Sequence, residues 1–155
     1  MAKTAASLAV GDELPTVVKV MSQEKMDSFE SFYGSAVSEE PADDRPVNIH
    51  TDAAMAEAAG LSSQIASGQM SFSYIHEMLA RFFGDAFLRG GSLKASFISP
   101  TYAGDVVTAR GVVKEKVQQG NATQLTLEVW TEKQGGQKTA VGTASVTLRW
   151  LDTRE

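Results

Sequence analysis

A chain of 155 residues is one domain's worth, long enough to close a hydrophobic core and too short for two ordinary domains. Hydrophobic residues make up 43% and charged ones 21%, with 4 prolines, which excludes disordered and collagen-like classes. Nineteen acidic against 14 basic side chains leave a charge of −5 with no cluster of Lys and Arg, so neither nucleic acid nor an anionic membrane is an expected partner. The absence of cysteine removes disulfides, thiolate metal sites and thiol nucleophiles together, and it favours a cytoplasmic protein.

Residues 1–10 are small and mildly apolar, and Asp12 and Glu13 interrupt them before a signal-like apolar run develops. The reading is a loose leader, 1–10, followed by a single domain, 11–155. No window approaches the ~18 consecutive apolar residues that a membrane span requires. Val-rich Pro15 to Val20 predicts a strand, and Asp27 to Val37, with Phe29, Phe32 and Tyr33 at helical spacing, predicts a helix. Ser38 to Val47 holds two prolines and four acids and reads as a loop. Thr51 or Asp52 then caps a short Ala-rich helix, Ala53 to Ala59, which Gly60 stops.

Gln69 to Phe83 is the most apolar segment. Its polar residues Ser73, Glu77 and Arg81 follow one another at intervals of four and form a narrow stripe. A helix apolar on most of its circumference is enclosed by protein. Beyond Gly84 the sequence turns rich in Val and Thr, with glycines Gly90-Gly91 reading as a turn into a strand. Ser92 to Ser99, Asp105 to Val117, Ala122 to Glu132 and Thr139 to Trp150 are predicted as four strands of an antiparallel meander. The fold class is α+β, an antiparallel sheet wrapped around a long central helix.

Two histidines carry the candidate acid–base chemistry near neutral pH. His50 lies on irregular backbone between an acidic loop and a helix start. It is either an imidazole facing a cleft or a surface histidine near solvated Asp43, Asp44 and Asp52. His76 lies in the apolar helix, where a satisfied core or interface histidine is the ordinary reading. Two histidines separated by 26 positions do not make a ligand-spaced set, so no metal is expected. Phosphate-loop, dinucleotide and nucleophile-elbow patterns are absent. Ser67-Gly68 opens the long helix, whose first N–H groups and positive dipole end suit a carbonyl or an anion, unless Ser67 is simply a cap.

Together, Asn48-Ile49-His50-Thr51-Asp52, the short Ala-rich helix ending at Gly60-Leu61, and Ile65-Ala66-Ser67-Gly68-Gln69-Met70 form an ordered pattern. With the later Ser99-Pro100-Thr101-Tyr102-Ala103-Gly104-Asp105 turn, the chain from about residue 11 to 150 resembles the MaoC-like, (R)-specific enoyl-CoA hydratase family of hotdog folds. The resemblance implies reversible addition of one activated water to a trans-2-enoyl thioester. An Asp and a His share that water, and a backbone N–H at the central helix start holds the thioester oxygen. His50 matches the histidine and Gly68 the helix-start glycine, and no cofactor is implied; Ser67 departs from the family, where hydratases commonly have histidine before that glycine, and it stands with Asn48 and Tyr74 as a further candidate substrate contact. The family's aspartate position is Arg45 here, so Asp44 or His76 is the expected replacement.

The resemblance also implies a homodimer or larger assembly, with Met, Phe and Tyr residues of the central helix lining a pocket for an acyl or polyketide-like chain. Two alternatives stand beside hydration. One is a divergent hotdog enzyme performing isomerisation, elimination or cyclisation on an activated carbonyl substrate. The other is a non-catalytic subunit or binder.

Overall fold

The computed structural model describes residues 3–37 and 47–149. After a 3-10 turn, Ala5–Ser7, come β1 (Val17–Val20), α1 (Gln23–Val37), α2 (Ala53–Ala58), α3 (Gly68–Phe83) and α4 (Asp85–Gly90). Four strands follow, β2 (Ser92–Phe97), β3 (Val106–Gln119), β4 (Ala122–Lys133) and β5 (Lys138–Arg149). Each element is set by local chemistry. α1 starts four residues earlier than its apolar spacing suggests, because Ser22 Oγ accepts the Lys25 N–H at 3.3 Å and Met26 anchors the first turn in full burial. Of the two candidate caps of α2, Asp52 does the capping, its Oδ1 accepting the Met55 N–H at 2.8 Å.

The helix α4 has no counterpart in the elements predicted from the sequence, where only Gly90-Gly91 at its end reads as a turn. Gly84, at φ +54, ends α3 and starts α4 at once, and Phe87 buries itself while Asp85 and Arg89 pair at 2.9 Å. Within residues 3–11 the chain is tied to the sheet. Leu8 is 1% exposed within the main core, Lys116 Nζ donates to its carbonyl at 2.7 Å, and Gly11 donates to the Val113 carbonyl at 2.8 Å.

The five strands form one antiparallel sheet in the order β1-β3-β4-β5-β2. The expected meander therefore holds for β3, β4 and β5 alone. β2 docks on β5, where Gly142 lacks the Cβ that would lie 2.1 Å from the Lys94 carbonyl oxygen, and Ser92 and Ser145 share a 2.7 Å hydroxyl contact. Since β2 and β3 are not neighbours, residues 98–105 must traverse the end of the sheet. That traverse becomes a wall of the site.

Period-two alternation on β3 and β4 turns Val107, Ala109 and Val113, and Leu125, Leu127 and Val129, inward. Opposite them α3 buries Ile75, Met78 and Leu79, each stabilising the fold by roughly 1.5–3 kcal/mol. At Gly111 an added Cβ would stand 3.0 Å from Met78 Cε, so the missing side chain brings helix and sheet together. α3 is enclosed on this side only; Gln69, Ser73, His76 and Arg81 are exposed.

Candidate active site

His50 is placed by a turn that Asn48 builds. The Asn48 Oδ1 accepts the His50 N–H at 2.8 Å, and its carbonyl accepts from Thr51 and Asp52 at 3.1 and 3.0 Å. The following segment pairs back, Ile65 donating to the Ile49 carbonyl at 3.2 Å. The His50 Nδ1 then lies 2.8 Å from the Ile65 carbonyl oxygen. A carbonyl only accepts, so Nδ1 carries the proton in the neutral ring and Nε2 keeps its lone pair.

His50 lines a cavity of about 300 Å³. Leu61, Ile65 and Ala66 form one side, and Ser67, Gly68 and Ser71 of the α3 start form another. Phe97 to Thr101, with Thr139 of β5, complete it. Among the described lining residues only His50 has a titratable side chain, so the walls they form suit an uncharged chain.

The traverse holds its shape through a small polar network. Ala66 donates to the Thr101 carbonyl at 2.8 Å, and Ile98 to the Thr139 carbonyl at 2.9 Å. Lys133 Nζ donates to the Pro100 carbonyl at 3.2 Å and lies 3.6 Å from Asp105. Burial opposes ionisation of Asp105. The Tyr102 N–H, the Gln134 amide and Lys133 outweigh it and hold the carboxyl below its ordinary range. Gly104, at φ +93, makes the turn that such a carboxylate can cap.

At the α3 start, Ser67 Oγ accepts the Gln69 N–H at 3.4 Å, so Ser67 is a cap as well as a lining residue. Gly68 occupies the first helical position, whose N–H has no intrahelical partner. A Cβ on Gly68 would meet the Phe97 ring at 2.5 Å. Glycine is what lets that ring lie so close to the helix start.

Of the residues singled out in the sequence, His50, Ser67 and Gly68 come together at one cavity. Asn48 does not line it; the residue acts by holding the His50 backbone. Tyr74 also lies elsewhere. Six residues past Gly68, or ~9 Å along the helix, its hydroxyl faces Met21 Sδ at 3.6 Å and Lys19 stands 5.6 Å from its ring centre. Burial, with Glu77 nearby, pushes the Tyr74 phenol up.

His76 is exposed on α3 with its ring edge-on to Phe87 at 5.1 Å, more than two turns, ~12 Å, beyond the helix start. It does not reach the cavity of its own chain. Met70, Met78 and Phe83 pack into the core instead of lining the pocket, because they lie on the face of α3 that the sheet covers. Asp44 and Arg45 lie outside the described residues. The sequence reading missed Ser71, Phe97 and Thr139 as site residues. Ser71 alone carried a signal, a hydroxyl one turn into an otherwise apolar stretch.

Among the described residues no group of three or more His, Asp or Glu side chains could hold a metal, and no helix is long and apolar enough to cross a membrane. A five-stranded antiparallel sheet packed on one long helix is the hotdog arrangement. The MaoC like domain model matches residues 46–146, and the chain belongs to that family. No curated protein matches the chain at the sequence level.

Solved structures share the fold. The (R)-hydratase from A. caviae involved in PHA biosynthesis is 23% identical with a TM-score of 0.67, covering 92% of this chain and 98% of that one. A MaoC-like dehydratase from Rhodospirillum rubrum is 18% identical at 0.73, covering 96% and 97%. A chain of the ChsH1-ChsH2 complex from Mycobacterium tuberculosis is 19% identical at 0.68, covering 91% and 98%.

Proposed function

We propose that this MaoC-family chain is a hydro-lyase that adds water to, or removes it from, a trans-2-enoyl thioester. The observation that carries this reading is the His50 imidazole, tethered through Nδ1 to the Ile65 carbonyl at 2.8 Å and bordering the same cavity as Gly68. In the hydration direction Nε2 takes a proton from water as the water oxygen bonds to C3. The electron pair of the C2=C3 bond moves toward the thioester carbonyl, and the Gly68 N–H stabilises the charge that gathers on its oxygen. A proton returned to C2 completes the addition, and reversal expels water. Asp44, six residues before His50, is proposed as the second group on the water. The acyl chain lies among the uncharged walls formed by Leu61, Ile65 and Pro100.

A panel of enoyl thioesters, from crotonyl-CoA to longer and branched chains, tests this by mass spectrometry. The expected product gains the mass of one water. Complete inertness of the purified chain toward the panel would turn the reading to a non-catalytic subunit. The lack of a carboxylate among the described lining residues supports a second reading, isomerisation or elimination by the imidazole alone. It would leave a product with no added water.

Assembly with a second copy is part of the proposal. β1 and β2 are the sheet's open edges, and Val18 and Val20 on β1 are each more than half exposed. Light scattering on the assayed sample is expected to give a dimer or larger; a clean monomer would remove this element.

A further inference from the structure

Two of the cavity's hydroxyls have no use within the chain. Ser71 is 7% exposed and Thr101 is 5% exposed, both line the cavity, and neither hydroxyl has a hydrogen bond among the described residues. The neighbouring hydroxyls are all engaged. Thr139 Oγ1 is shared with Thr131 at 2.8 Å, Ser99 Oγ accepts from Gln137 at 3.0 Å, and Ser67 caps α3. The contrast with Ser73 is sharpest, because two residues along the same helix its Oγ donates to the Gln69 carbonyl at 2.8 Å, the usual refuge of a helical serine. No buried side-chain oxygen among the described residues lacks a partner, so both hydroxyls open onto the cavity, and a ligand that displaces the water there must replace its hydrogen bonds or leave them unmade.

We infer that Ser71 and Thr101 form a subsite for an oxygen function, a hydroxyl or keto group, on the acyl chain of the substrate. The inference rests on the proposed placement of the thioester carbonyl at the Gly68 N–H. Ser71 is three residues beyond Gly68 on α3, which advances ~4.5 Å along the helix axis. Measured from the carbonyl, that is the reach of roughly three or four carbon–carbon bonds, so the oxygen sits on about the fourth or fifth carbon, past the reacting double bond. A hydroxyl there donates to one of the pair and accepts from the other; a keto oxygen accepts from both. An alkyl chain in the same place would strand both hydroxyls.

A matched pair of ligands reads this directly. The pantetheine amides of 5-hydroxypentanoic and hexanoic acid differ only in OH for CH3 at the chain end, and they bind without reacting. Calorimetric titration of the full chain is expected to show about tenfold tighter binding of the hydroxylated amide. The variants Ser71→Ala and Thr101→Val, each checked for an unchanged unfolding midpoint, are expected to remove most of that preference. Equal binding of the two amides, failure of both to bind, or a preference that survives in both variants overturns the subsite.

Turnover of (E)-5-hydroxypent-2-enoyl-CoA against (E)-hex-2-enoyl-CoA then separates the two levels of the argument. Hydration of both at equal efficiency sinks the subsite and leaves the hydratase reading standing. A binding preference without turnover of either does the reverse.

Discussion

Replacement of His50 by asparagine is expected to lower enoyl-thioester hydration by about a thousandfold while leaving the fold intact. The two ring nitrogens do different work. Nδ1 donates to the Ile65 carbonyl, and an asparagine amide nitrogen stands close to the same place and can keep that bond. Nε2 has no counterpart in asparagine, so the proton acceptor disappears while the tether remains. Loss of a positioned acid–base group typically costs 10²–10⁴ in rate. His50→Ala removes both functions and is expected to add about 1 kcal/mol of destabilisation from the unpaired Ile65 carbonyl. The measurements are kcat/KM on the best substrate of the panel and the urea unfolding midpoint of each variant. If His50→Asn retained more than a tenth of the activity, the imidazole would be a structural tether and the proposed chemistry would have to come from elsewhere.

Much of this architecture could be read before any coordinates, for reasons visible in particular residues. Strand periodicity on β3 and β4 is strong because one sheet face is buried, and α3 was legible because few polar residues interrupt Gln69 to Phe83. Pairing order was not legible. Nothing local distinguishes a β2 that turns back to β3 from one that docks on β5; the deciding residue, Gly142, lies 47 positions beyond Ala95, its partner in the register. The helix α4 was hidden for a different reason, since the glycine that stops α3 also opens α4.

The site divides in the same way. His50, Ser67 and Gly68 were found through an ordered motif, whereas Phe97, Thr101 and Thr139 come from segments that only the sheet topology brings to the helix start. His76 became a candidate through the resemblance, as a stand-in for the missing aspartate, and Tyr74 as a further substrate contact, but a helix rises 1.5 Å per residue, and both lie too far from its first turn. Asn48 shows a further limit of reading by type. It is polar and two residues before His50, and its side chain is spent on the His50 backbone N–H.

Gly68→Ala is expected to cut activity by about a hundredfold with little change in stability, and this dissociation separates a site role from a folding role. Alanine is the better helix former, so helix propensity does not disfavour the change. Its Cβ, however, would lie 2.5 Å from Phe97 Cδ2 and 2.7 Å from both Cγ and Cε2. Contact near the root of the ring means that the whole side chain must swing, and Phe97, 49% exposed at the end of β2, has room to do so. The swing changes the wall beside the Gly68 N–H, and misplacing one oxyanion donor costs on the order of 10²–10³ in rate.

A double-mutant cycle tests this cause. Phe97→Ala in the Gly68→Ala background removes the collision and is expected to recover most of the loss relative to Phe97→Ala alone, so the two effects are strongly non-additive. Additive losses would mean that the added methyl blocks substrate directly. Full activity in Gly68→Ala would mean that Phe97 swings aside without disturbing the wall beside the Gly68 N–H, which alanine keeps.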